Sequence, residues 1–206
     1  MYTPRAYMET DLRLLDSLLE ADPFVTLATV DEQRKPFVSH LPVLYRRDGD
    51  DVLMEGHWAR PNPQAIGPEE ALLVVHGPHA YVSPSWYPDH DAQARVPTWN
   101  YAAAHLTGRL ERFDDEDALG DLVARLSQRF ETTAGGGWKY QHDREDQRRQ
   151  LRGIVGFRFF PSTIQLKAKL NQNHPESNRR AVVAALEAQE GDDARAVAAL
   201  MRARTP

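Results

Sequence analysis

Apolar residues recur along this chain at two spacings, and the change from one to the other predicts where strands give way to helices. Leu12, Leu15, Leu18 and Leu19 fall at helical spacing after Thr10 and Asp11, and Asp22-Pro23 ends the run. Phe24 to Val30 is β-branched and apolar, Asp31 to Lys35 is polar, and Phe37 to Leu44 is apolar again, which predicts a hairpin. Pro42 lies inside the second of these strands and has no N–H for a ladder, so it marks an edge or a break. Asp48-Gly49-Asp50 predicts a turn and Val52 to His57 the next strand. Ala71 to Val75 predicts a strand buried on both faces, and His79 to Ser83 and Tyr101 to Phe113 two more.

The second half changes character. Four acids, Asp114 to Asp117, crowd a helix start, where negative charge suits the macrodipole. Leu119, Leu122, Val123, Leu126 and Phe130 then form one stripe, and Gly135-Gly136-Gly137 breaks it. Lys139 to Arg152 is a solvated, charged helix or loop, and Ile154 to Phe160 a strong strand continued by Ile164 to Leu170. From Glu176 two Ala-rich helical stretches flank Gly191-Asp192-Asp193. Short strands with helices inserted late predict a mainly β, antiparallel barrel rather than an alternating βαβ sheet. The expected division is a barrel domain over residues 1–173 and a helical extension over 174–206.

Composition narrows the function classes. Cys is 0, which removes disulfides, thiolate metal sites and cysteine nucleophiles, so any redox role falls to a bound cofactor. With 25 Lys+Arg against 30 Asp+Glu the net charge is −5, so the overall basic excess that drives phosphate-backbone binding is missing. The tail from His174 has five arginines matched by five acids, which makes direct DNA binding doubtful. No run approaches the ~20 apolar residues of a membrane span, and Met1 to Arg5 shows no apolar leader, so the expected location is the cytoplasm.

Four stretches carry candidate chemistry. In Gly56-His57-Trp58-Ala59-Arg60-Pro61-Asn62-Pro63-Gln64 a strand ends, Asn62 is a good N-cap and Pro63 suits a first helical position. A guanidinium beside a helix start can gather a phosphate, and the alternative is a capped turn with Arg60 in a surface ion pair. Tyr81 to Tyr87 and Val96 to Tyr101 set aromatics on proline-stiffened backbone, suited to a flat ring or to a subunit seam. Ser39-His40 is no nucleophile–base pair, because neighbours on a strand face opposite ways. His76 and His79 flank a Gly-Pro turn without the helical spacing of a zinc site. Lys167 to His174 supplies two cations and three amides after the last strand, either to close over a polar ligand or to lead into the tail.

Ser39 to Pro42 (SHLP), Gly56 to Gln64, Gly77 to Tyr87 (GPHAYVSPSWY), Val96 to Tyr101 (VPTWNY), Ile154 to Phe157 and Lys169 to Asn173 (KLNQN) stand in a telling order. Together they resemble the PaiB-type family of FMN-binding negative transcriptional regulators, over about residues 1 to 190. The resemblance implies an FMN-binding split β-barrel, the fold of the pyridoxamine-phosphate oxidases, in a homodimer with the cofactor at the subunit interface. It implies that Arg60 and Asn62 hold the flavin phosphate with Lys169 helping to balance it. Ser39, Leu41 and His57 would line the strands beside the isoalloxazine, and Trp99, Asn100 and Gln172 would touch the ring or ribityl chain. Pro61 and Asn171 stand where the family pattern has Ala and Ser. Two further readings compete: a flavin-dependent oxidoreductase acting on a small molecule, and a split barrel whose cofactor was lost or exchanged for haem, with His40, His57 and His79 as candidate ligands.

Overall fold

A computed structural model describes residues 1–204, so the last two residues of the expected extension lie outside it. In chain order the elements are β1 (Met8–Glu9), α1 (Arg13–Ala21), β2 (Phe24–Val30), β3 (Pro36–Pro42), β4 (Leu44–Asp48), β5 (Asp51–Ala59), β6 (Glu70–Val82) and β7 (Thr98–Phe113). Then follow α2 (Glu116–Ala134), α3 (Glu145–Leu151), β8 (Ile154–Lys169), α4 (Glu176–Glu187) and α5 (Asp192–Ala203). The strands form one sheet in the order β3-β2-β6-β7-β8-β5-β4, with β1 pairing on β8. The chain forms two compact units. One comprises residues 1–18, 76–104 and 165–206, and the other residues 19–75 and 105–164.

Within the second unit, Pro42 does break the predicted strand. β3 and β4 are separated only by Val43, yet they stand at opposite ends of the sheet order. Val43 is fully buried, and its N–H donates to Pro23 O at 3.0 Å. The sheet therefore curls until one residue spans its two end strands, and the hydrogen-bonded path stays open there, as in a split barrel. Along β5 Val52, Met54, Gly56 and Trp58 are buried while Leu53, Glu55 and His57 are half-buried, the alternation of a strand with one core face. Trp58 packs on Phe157 of β8 with ring centroids 4.5 Å apart. Asp115 caps α2 by accepting from Ala118 N at 2.9 Å, and Gly135 ends it in the left-handed conformation at φ 71°.

In the first unit, two predicted strands around Gly77-Pro78 run together into β6. A Cβ on Gly77 would lie 2.6 Å from Ala102 O, so glycine allows the close approach that keeps the strand continuous. α4 and α5 pack through Val182, Val183 and Leu186 on one and Ala194, Val197, Ala198 and Met201 on the other, all buried.

Candidate functional site

The end of β5 is built as the sequence implies, but its polar groups are more committed than expected. The turn after it is a single 3-10 turn, Pro63–Ala65. Asn62 Oδ1 accepts from Gln64 N at 2.9 Å, and Ala65 N donates to Asn62 O at 2.9 Å. With Pro63 lacking a donor, the turn leaves no run of free amides for a phosphate. Asn62 Nδ2 donates to Ser39 Oγ at 2.9 Å, which ties this turn to β3. The Arg60 guanidinium donates from Nε to Arg152 O at 2.8 Å and from Nη2 to Ile154 O at 3.0 Å, and Nη1 pairs with Asp114 at 3.4 Å. These contacts use three of its five N–H groups. Arg60 thus also latches the end of β5 to the start of β8.

Ser39 and Leu41 pair across β2 with Leu27 and Val25, both fully buried, so they face the core side of the hairpin. His57 lies on the half-buried face of β5, beside Glu55 and opposite Gly156. The expected row of Ser39, Leu41 and His57 is therefore split, because strand alternation sends His57 away from buried Gly56 and Trp58. His57 Nδ1 is buried without a partner, and burial pushes its pKa down, which keeps the ring neutral at pH 7. Beside it, Glu55 binds Arg125 of α2 at 2.7 Å and Arg158 of β8 at 3.3 Å.

Gln64 was not among the expected contacts, although it closes the Asn-Pro-Gln motif. It is buried, and its Nε2 reaches Leu27 O, Thr29 Oγ1 and Phe37 O at 3.1–3.2 Å, while its Oε1 has no partner. Arg112 donates to Gln64 O and Pro68 O and stands 5.7 Å above the ring of Trp58, whose Nε1 is another buried, unpartnered atom.

The remaining expected residues belong to the first unit. Trp99 is 52% exposed on β7 and meets Tyr81 edge-on at 6.0 Å. Asn100, one residue on, is fully buried, with its Nδ2 on Met201 Sδ at 3.4 Å and its Oδ1 unpartnered. Its side chain therefore holds α5 rather than facing the exposed side that Trp99 shows. Lys169 Nζ donates to Trp99 O at 3.0 Å and to Thr98 Oγ1. Gln172 folds back on the end of β8, accepting from Leu170 N at 2.8 Å and donating to Ala168 O. Asn171, in the left-handed region at φ 60°, donates to Tyr87 OH at 2.9 Å. Tyr87 stacks on His174 at 4.7 Å under Arg95, which pairs with Asp89. Hydrogen bonds from Arg95 and Asn178 hold the Asp89 carboxyl down at about 2. This lock fastens the 88–97 loop to the start of α4.

The family model described as "Putative FMN-binding domain" matches residues 1–160, which include the whole Ser39–Asn62–Gln64 cluster. The protease synthase and sporulation protein PAI 2 of Bacillus subtilis is 31% identical over 98% of this chain and 96% of its own length. This chain belongs to that FMN-binding domain family. It is a split-barrel protein of the PaiB type. Solved structures resemble it at the level of fold. A flavocytochrome from Azotobacter vinelandii superposes with a TM-score of 0.61 at 15% identity, covering 87% of this chain and 78% of its own. The FAD- and haem-binding protein from Mycobacterium smegmatis gives 0.57 at 19% identity, covering 85% and 79%. Among the described residues no helix is long and apolar enough to cross a membrane, and no group of three or more His, Asp or Glu is placed to hold a metal ion.

Proposed function

We propose that this chain binds FMN and works as a homodimer, with the flavin phosphate at the end of β5. The observation that carries the reading is the family match, which spans the Arg60–Asn62 turn together with the strands that position it. The residues fit the group. Arg60 keeps two uncommitted N–H groups for a phosphate carrying close to two negative charges, and Asn62 with Ser39 offers neutral hydrogen-bonding partners beside it. The same unit holds the unpartnered buried atoms Gln64 Oε1 and Trp58 Nε1, an acceptor and a donor of the kind a flavin edge pairs with. Leu41 supplies apolar packing nearby.

Asn100 and Gln172 act indirectly, by holding α5 and the end of β8. When bound, FMN supplies the redox chemistry, and the chain's residues orient it and keep water away. We read any regulatory role as a response to the flavin rather than tight operator binding, because the arginines of the tail are matched by acids.

The test is the visible spectrum of the protein after mixing with FMN and desalting, with sedimentation analysis of the same sample. Retained flavin bands and a two-chain species support the reading. A colourless protein with sedimentation unchanged by FMN contradicts it.

A further inference from the structure

The Gly135-Gly136-Gly137 run does more than end α2. The chain after it turns back along the helix, and the two enclose a groove of about 340 Å³, within the roughly 300–1,000 Å³ of small-molecule pockets. Ala124, Gln128 and Glu131 share one face of α2 and form one side, and Trp138, Lys139 and Tyr140 form the other. A Cβ on Gly136 would lie 1.9 Å from Glu131 Oε2, so any other residue there would force the carboxylate aside. Trp138 N donates to that same oxygen at 3.1 Å, which ties the loop to Glu131. Farther along, His142 meets Asp117 at 3.2 Å and Arg148 meets Glu116 at 3.6 Å, so the returning segment is fastened to the helix beyond the groove as well.

The polar groups of the groove are only partly used. Glu131 Oε1 and the Lys139 ammonium have no partner among the described residues. The two side chains line one cavity with opposite charges, yet no ion pair joins them. Opposite charges held apart suit a molecule that carries both. Between them Trp138 is 49% exposed, Tyr140 is half-buried and Ala124 is small, which leaves aromatic wall and open floor for a ring. The groove uses the C-terminal turns of α2, whereas Arg60 meets Asp114 ahead of the helix's first turn.

We propose that this groove binds a free aromatic amino acid, with its ammonium on Glu131, its carboxylate on Lys139 and its ring between Trp138 and Tyr140. A charge-assisted hydrogen bond at each end selects the zwitterion, and the aromatic walls select the side chain. The inference goes beyond the flavin reading and does not depend on it.

L-Phenylalanine is the probe, titrated calorimetrically into the full-length protein without flavin and again with saturating FMN. We expect saturable binding in both cases, about tenfold or more weaker for phenethylamine, which lacks the carboxylate, and for hydrocinnamate, which lacks the ammonium. Glu131→Gln keeps an acceptor for Trp138 N and removes only the charge. That variant and Lys139→Gln should each bind phenylalanine about tenfold or more weakly, and Arg60→Ala should bind it as the wild type does. No binding to the wild type at millimolar phenylalanine would overturn the proposal. So would phenethylamine or hydrocinnamate binding as tightly as phenylalanine, full affinity in either charge variant, or loss of binding on adding FMN. The ligand series on the wild type needs no variant, so a variant that failed to fold would leave the test decisive. FMN binding is read separately by flavin fluorescence, so failure of the flavin reading and failure of this one are distinguishable.

Discussion

Glu55 and Lys167 are both charged groups drawn into the protein, each on a different strand, and they are treated in opposite ways. The Glu55 side chain is 12% exposed and meets two guanidinium groups, from α2 and from β8. Lys167 meets one carbonyl and two tyrosine rings. The first arrangement is complete within its unit and has the signature of a structural network. The second has no carboxylate among the described residues, so the ammonium is met only by neutral groups. Arg60 stands between them: three contacts make it structural, and its remaining donors leave it able to take a phosphate.

The largest effect should come from breaking the complete arrangement. Glu55→Ala leaves two arginines without their carboxylate. Because both keep access to water, the loss in denaturant-unfolding free energy should be about 2 kcal/mol, below the cost for a fully buried pair. Arg60→Ala should cost about 1–2 kcal/mol through the carbonyls of Arg152 and Ile154 that it leaves unmet. Lys167→Met should go the other way, neutral or stabilising by up to about 1 kcal/mol, since an apolar side chain of similar length relieves an unbalanced buried charge. A destabilisation as large as that of Glu55→Ala would mean that Lys167 is structurally satisfied and the contrast fails.

A smaller effect follows from His57. Burial holds its folded-state pKa below the ordinary 6.5. Stability from this group is therefore full above the unfolded value and declines as pH falls from there toward the folded one, because the unfolded chain takes up the proton first. His174 is shifted in the same direction, mainly by burial and then by Arg95. His57→Gln should flatten, without abolishing, the fall in melting temperature between about pH 6.5 and 5. An unchanged slope would show that His57 reaches water.

Much of this was legible from sequence where the signal is local. Asp115 and Gly135 bound α2 as caps should, the 24–42 hairpin has the predicted pairing, and Asn62 caps its turn. Pro42 announced a break but not its consequence, because β3 and β4 diverge to opposite ends of the sheet through pairing with β2 and β5, which no local pattern encodes. The same limit applies at the candidate site. Arg60 finds its carbonyl partners 92 and 94 residues away, so its latch role was invisible in the motif. For His57 and Asn100 the motif leaves the facing direction open for one physical reason: a motif names residues, whereas the strand's alternation decides which of them face the same way. Gln64 could have been found, since an amide directly after Asn-Pro at the end of a strand is placed to satisfy backbone carbonyls. The burial of Lys167 could not, because it depends on Tyr2 and Tyr101 arriving from distant parts of the chain.

The central claim is that the Arg60 turn holds the phosphate of a flavin. The most direct measurement is a fluorescence titration of FMN and of riboflavin, which lacks the phosphate, into wild-type protein and Arg60→Ala. The account predicts saturable quenching of FMN, about tenfold or more weaker binding of riboflavin to the wild type, and little difference between the two ligands in the variant. Equal affinity of the wild type for FMN and riboflavin, or a variant that still prefers FMN as strongly, would contradict it.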